Sequence, residues 1–360
     1  MPTTTGMKGG GYYNANSAGQ RAAMEPFLPW LEAAVKQIPP PRDEQTAIRF
    51  LDIGSSEGAN AIYALSRAVV SLRTAQTAPV SVCFSDLPSN DYNQLFANLH
   101  GDGDGPLPSD VFAFVTAGTA FGRLIPPCSV HVVTTFNAIG FLERLPEATL
   151  PHYVLPMPPG PFAPRDGVAV TSAEQAPFAQ QAAHDLTEFY HARAAEMIRG
   201  GKLLVQVFGR NDLHSTSHGI YDVLSDALLD LVESGDLPRE IYEHLIFPIY
   251  CRSLEELIEP ITTDPQLMQA FQIEQAESVD IPVPFNEALQ ATGDAADWAR
   301  SYCGFLRAFT EAILAAAIPA PLSKEAAVEK VYQRIEQRLA EDPARYEFHY
   351  ISVGVLLTRL

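Results

Sequence analysis

Two carboxylates at matching positions carry the first chemical signal in this chain. Asp52 sits in Asp52-Ile53-Gly54-Ser55-Ser56-Glu57-Gly58, and Asp86, 34 positions later, closes the run Val80-Ser81-Val82-Cys83-Phe84-Ser85. A glycine-rich turn behind an apolar run brings backbone N–H groups and a helix N-terminus up to a ligand, which suits a dinucleotide or S-adenosylmethionine. The turn is not G-x-G-x-x-G and lacks the second glycine that admits a pyrophosphate, so a ligand without one is favoured. A carboxylate at the end of the second run can accept from both ribose hydroxyls; helix capping is the plainer use of the same residue.

Both carboxylates need a sheet to carry them. Ala47–Gly54 is short and apolar and leads into a helical stretch from Asn60 to Leu72, which predicts strand, turn and helix. A second strand follows at 80–85 and a third is expected at Ser129–Thr135; a helix over Asp185–Arg199 feeds Gly200-Gly201 and a strand Lys202–Phe208. Before them, a glycine-rich start precedes a helix from Ala18 to Gln37, ended by Pro39-Pro40-Pro41. Strand alternating with helix predicts a parallel, doubly wound sheet with ligands at the carboxyl ends of its strands. Two stretches break the alternation. The Pro- and Gly-rich segment 151–173 is expected to be a mobile loop, and Ser217–Leu322, with helices such as Tyr221–Ser234 and Trp298–Ala317, reads as a helical cap. The final Phe348–Thr358 run returns to the sheet as a last strand.

Composition narrows the partners. With 360 residues, 47% hydrophobic and 19% charged, the chain can bury a sizeable core. Forty-three acidic against 24 basic side chains leave a net charge of −19, a field that repels phosphate backbones and anionic lipid. Neither nucleic acid nor membrane is expected as a partner. Cys83, Cys128, Cys251 and Cys303 form no C-x-x-C pair, so neither a metal site nor a disulfide framework is expected. No apolar run of about 18 residues occurs, and a soluble, cytoplasmic protein is expected.

Several segments together resemble the SABATH family, S-adenosylmethionine-dependent methyltransferases that form methyl esters of salicylate, benzoate, jasmonate and indole-acetate, with relatives that N-methylate xanthines. Gly9-Gly10-Gly11-Tyr12-Tyr13-Asn14-Ala15-Asn16-Ser17-Ala18-Gly19-Gln20 resembles its opening G-G-x-G…Y-x-x-N-S-x-x-Q. Asp52 to Asn60 resembles D-L-G-C-S-S-G-P-N, and Asp86-Leu87-Pro88-Ser89-Asn90-Asp91-Tyr92-Asn93 resembles D-L-P-x-N-D-F-N. Gly118 to Leu124 is similar to G-S-F-Y-G-R-L, Thr135 to Leu142 to S-S-x-S-L-H-W-L, and Leu356-Leu357-Thr358-Arg359 to S-L-T-R. The fold this implies is α/β, a Rossmann-like doubly wound class I methyltransferase sheet with a helical cap. Its parts are a cofactor-binding core over 1–216, a substrate-binding cap over 217–322 and a return to the sheet over 323–360.

The resemblance also implies site residues. Tyr13, Ser17, Asp52, Gly54, Asn60, Asp86, Leu87, Thr119, Ala120, Thr135 and Phe136 would surround S-adenosylmethionine, with Asp52 near its amino group and Asp86 on its ribose; the product is S-adenosylhomocysteine. The family holds its substrate carboxylate with a glutamine and a tryptophan, which correspond to Gln20 and Phe141. The glutamine is kept, but Phe141 has no indole N–H and Gly140 replaces a bulkier residue. Asn137, Phe208, Tyr221, Tyr250, Leu306, Phe309 and Tyr350 complete the implied substrate pocket. A carboxylate is ionised at neutral pH and needs no general base, so the implied reaction is an in-line displacement governed by placement. The expected partner is a small carboxylic acid, and a homodimer is the assembly the expectation allows. Two alternatives stand beside it: an N- or phenolic O-methyltransferase of the same fold, for which His131, His214 and His218 are bases by type only, and a non-catalytic S-adenosylmethionine-binding module.

Overall fold

The computed structural model describes residues 7–41, 43, 46–100, 107–161 and 170–360. Its strands are β1 (Ile48–Ile53), β2 (Val80–Asp86), β3 (Val111–Ala117), β4 (Val130–Phe136), β5 (Met197–Phe208), β6 (Phe271–Ile281) and β7 (Tyr350–Arg359). They form one sheet in the order β3-β2-β1-β4-β5-β7-β6. β1 to β5 run parallel, whereas β7 lies antiparallel between β5 and β6. The sheet is therefore mixed rather than wholly parallel. The C-terminal run does return to it, but inserted beside β5 rather than added at its edge.

The two faces of the sheet follow the alternation of side chains along each strand. Phe50, Val82, Phe84 and Val132 pack with α3 (Leu28–Val35) and α4 (Ala59–Arg73). Leu51, Ile53, Val133, Leu203 and Val205 face the other way, onto Leu186, Phe189 and Tyr190 of α6 (Ser172–Glu196). A separate cluster builds the cap from α7 (Ile220–Glu233), α8 (Arg239–His244), α11 (Pro284–Thr292), α12 (Ala295–Ala317) and α13 (Lys324–Glu341). The remaining helices are α1 (Tyr12–Asn16), α2 (Ala18–Met24), α5 (Tyr92–His100), α9 (Leu254–Thr263) and α10 (Pro265–Ala270).

Several elements differ from the sequence expectation. β3 and β6 are additional strands at the two sheet edges, where Phe112 and Phe114 of β3 are 64% and 57% exposed and half of β6 is polar, so neither resembles a buried strand. The stretch read as cap thus contributes β6 to the sheet, with Leu257, Ile261 and Leu267 of α9 and α10 packed on the sheet core, while α13 packs with the cap. The helix expected over 18–37 is broken at Glu25–Phe27 into a 3₁₀ turn, with Pro26 and Pro29 at the starts of successive helices. α6 begins thirteen residues before the expected Asp185, at a capping box in which Thr171 Oγ accepts from Glu174 N at 3.2 Å and Glu174 Oε2 accepts from Thr171 N at 2.8 Å. The segment expected to be a mobile loop is instead anchored where it is described: Tyr153, Val154, Leu155 and Met157 are buried in the cap cluster, and Tyr153 Oη donates to Asp222 at 2.6 Å. Residues 162–169 of that segment lie outside the described residues.

Candidate active site

The turn after β1 is shaped by contact. A Cβ on Gly54, whose φ is +82°, would fall 2.2 Å from Ala138 Cβ, and one on Gly58, at φ +96°, 2.6 Å from Leu95 Cδ1. Ser56, at φ 49°, turns its backbone N–H toward β2, where it donates to Asp86 Oδ2 at 2.7 Å; Leu87 N donates to Asp86 Oδ1 at 2.7 Å. Asp86 thus ties two strand ends together. It does not cap the next helix, because Asp91 takes that role by accepting from Gln94 N. Burial pushes the Asp86 carboxyl up, and its two N–H donors oppose that. Asp52 is fully enclosed, with Oδ1 accepting from Thr134 Oγ and Oδ2 from Ser55 Oγ, both at 2.7 Å. Burial pushes its pKa up to about 6 against these two hydroxyl donors. Glu57 clamps the N-terminal segment over the turn, accepting from Gly11 N at 2.6 Å and Asn14 N at 3.0 Å.

Beside these strand ends lies a cavity enclosing about 1170 Å³, its open mouth included, with a smaller chamber of about 370 Å³ adjoining it under the β1 turn. Tyr13, Gln20, Gly54, Phe136 and Asn137 line both; Asp52 and Asn60 line the smaller one. Asp86, Leu87, Thr119, Ala120 and Phe141 line the larger one, joined by Phe208, Tyr221, Phe309 and Tyr350. Five of the implied residues stand behind the wall. Ser17 Oγ donates to Asn14 O, and Thr135 Oγ donates to Ile53 O at 3.0 Å, fastening β4 to β1. Gly140 O accepts from Tyr250 N at 2.9 Å, and Tyr250 Oη donates to Glu256. Leu306 is fully buried in the cap.

Sequence reasoning missed Phe305, Phe348, Thr216, Cys251 and Glu143, all on the larger cavity. Phe305 lies four residues before Phe309 on α12 and Leu306 three before it, so helix spacing admits either on the Phe309 face, and the packing of α12 turns Phe305 to the cavity. Phe348 was read only as the start of a strand. The Gly140 substitution also has a structural reason, since a Cβ there would lie 2.2 Å from Phe208 Cζ. Phe208 fills the space that a side chain at position 140 would enter and packs edge-on against Phe141, ring centroids 6.1 Å apart.

Polar groups without partners mark where ligands are needed. The Ser56 and Ser85 hydroxyls, next to Asp86, and Gln20 Oε1 and Tyr221 Oη, deeper in the cavity, are buried with no hydrogen-bond partner among the described residues. Carboxylates and hydroxyls beside a glycine turn suit a nucleoside that carries cationic groups, and an apolar, aromatic chamber with a buried amide suits a small organic molecule.

Residues 3–360 match the family model described as SAM dependent carboxyl methyltransferase. The chain belongs to that family. Its substrate is accordingly a small carboxylic acid, methylated with S-adenosylmethionine as cofactor. Among relatives, the methyltransferase is 28% identical to gibberellic acid methyltransferase 2 of Arabidopsis thaliana, over 85% of this chain and 80% of the relative. It is 28% identical to indole-3-acetate O-methyltransferase 1 of Oryza sativa subsp. japonica, over 93% of this chain and 87% of the relative. The solved structure of loganic acid methyltransferase with SAH superimposes with a TM-score of 0.78 at 21% identity, covering 98% of each chain, which places the mixed sheet and cap in the same fold.

Proposed function

We propose that this methyltransferase esterifies a flat aromatic or medium-length apolar carboxylic acid, held in the cap-facing half of the larger cavity with its carboxylate at Gln20. The supporting observation is the make-up of that chamber. Aromatic side chains wall it, the Gln20 amide lines it with no bond from its Nε2 to another described residue, and no histidine among the described residues lines it. His131 instead accepts from Arg49 N in the sheet, and His214 stacks on His349 at 3.7 Å. A nitrogen or phenol acceptor would want a base; a carboxylate does not.

In this reading Asp86 accepts from the ribose hydroxyls and Asp52 faces the amino group, with Tyr13, Gly54, Asn60, Leu87, Thr119, Ala120 and Phe136 around the cofactor. Bound S-adenosylmethionine supplies an electrophilic methyl group on a sulfonium and departs as S-adenosylhomocysteine. Gln20 Nε2 donates to one carboxylate oxygen and so orients the other toward the methyl carbon. Phe141, Phe208, Phe309, Tyr221 and Tyr350 exclude water and grip the apolar body of the acid. The cap helices α7, α8, α11, α12 and α13 form the substrate-binding unit. The acids named for relatives, gibberellic, indole-3-acetic and loganic acid, fall in the size range this chamber suits. A cytoplasmic location accords with four free cysteines, and a homodimer is the assembly to test by sedimentation.

The decisive assay transfers labelled methyl groups to a panel of aromatic and aliphatic acids, amines and phenols. The expected product is label on an acid, released by mild base as only an ester would release it. Base-stable label on an amine or phenol overturns the reading.

A further inference from the structure

The strand order β3-β2-β1 sets out the cofactor's parts in space. If the turn after β1 and Asp86 at the end of β2 take the amino acid and ribose ends, the base lies one strand further along, at the end of β3. There Leu87, Ala120 and Phe121 line the cavity as apolar surfaces, and one carboxylate joins them: Glu143, which follows β4 in sequence. Its position is held firmly. Glu143 N donates to Asp185 Oδ2 at 2.9 Å, Asp185 Oδ1 accepts from Gln181 at 2.7 Å, and Leu142 N donates to Pro248 O at 2.7 Å. The side chain is fixed as well, since Thr119 Oγ donates to Glu143 Oε1 at 3.2 Å, while no donor among the described residues is bonded to Oε2. Phe121 N donates in turn to Thr119 Oγ at 3.3 Å, so the hydroxyl is oriented by the backbone beyond β3.

We infer that Glu143 reads the exocyclic amino group of adenine. A purine slides between apolar faces whatever its substituents; only its edge distinguishes one base from another, and a carboxylate oxygen accepts from a 6-amino group but repels a 6-oxo group. Glu143 is then a specificity residue for the cofactor. This rests on the cofactor placement proposed above, with Asp86 on the ribose.

The test is calorimetric titration of the whole protein with S-adenosylhomocysteine and with S-inosylhomocysteine, which carries oxygen in place of the 6-amino group. Wild type should prefer the adenine compound by tenfold or more. Glu143→Gln, whose amide can turn either its oxygen or its nitrogen toward the base, should reduce the preference to about threefold or less. Asp86→Ala should weaken both ligands alike and keep the preference. If Glu143→Gln retains the wild-type preference while Asp86→Ala weakens both ligands, the inference fails and the ribose placement stands. If Asp86→Ala leaves both affinities unchanged, the placement fails and the inference with it.

Discussion

The two halves of the cavity are built by different means. Around Asp52 and Asp86, the carboxylates accept from Ser55, Thr134, Ser56 and Leu87, most of them at the β1 and β2 strand ends themselves, so both carboxylates are fixed before any ligand arrives, with the Ser56 and Ser85 hydroxyls beside them left unpartnered among the described residues. The acceptor half draws on segments far apart in the chain, Gln20 from α2, Phe141 after β4, Phe208 from β5, Tyr221 from α7 and Phe309 from α12, and it leaves Gln20 Oε1 and Tyr221 Oη unpartnered. The first half is preorganised for one ligand by short-range hydrogen bonds. The second is a hydrophobic enclosure with unspent polar groups, and such a site discriminates by shape and by whatever satisfies those groups.

Breaking the preorganised half should have the largest effect. Asp86→Ala removes a doubly bonded carboxylate, the acceptor for two ribose hydroxyls, and should weaken cofactor binding by about 2–4 kcal/mol with the fold retained. Calorimetry that finds the affinity intact would show that the β2 end is not the ribose site. Next comes the acceptor half: Gln20→Ala should lower kcat/KM by roughly ten- to a hundredfold, about 1.4–2.8 kcal/mol, with cofactor affinity nearly unchanged. Equal turnover of every accepted acid by wild type and variant would move the carboxylate elsewhere in the chamber.

The smallest expected effect concerns pH. Asp52, raised to about 6 by burial, is protonated in the free protein below that pH, and only its ionised form attracts an ammonium. Cofactor affinity should therefore be level above pH 6 and fall below it, by at most about tenfold per pH unit. The change should vanish in Asp52→Asn, while the Gln20→Ala variant should keep it. A pH dependence shared equally by all three proteins would locate the titrating group outside this half.

The contrast between the halves explains what could be read in advance. Asp52, Gly54, Asn60 and Asp86 lie in contiguous motifs where local geometry dictates function, and each of them lines the site. Ser17 and Thr135 belong to two further motifs but spend their hydroxyls on backbone carbonyls, a use that spacing does not reveal. In the cap-facing half, Leu306 and Phe305 are sequence neighbours, and only the packing of α12 chooses which one faces the cavity. Glu143 was invisible as a site residue because its significance depends on Thr119, 24 positions away.

The amino-acid sequence alone determined the glycine turn, the paired strand-end carboxylates, the α/β alternation and the retained Gln20, since each is encoded within a few residues whose backbone and side-chain chemistry act locally. The tertiary structure decided the rest: that β7 inserts antiparallel between β5 and β6, that Phe208 takes the volume above Gly140, and which aromatic faces close the chamber. Those outcomes depend on close packing between segments distant in the chain, where a shift of an ångström changes which side chain fills a space, and no local pattern records it.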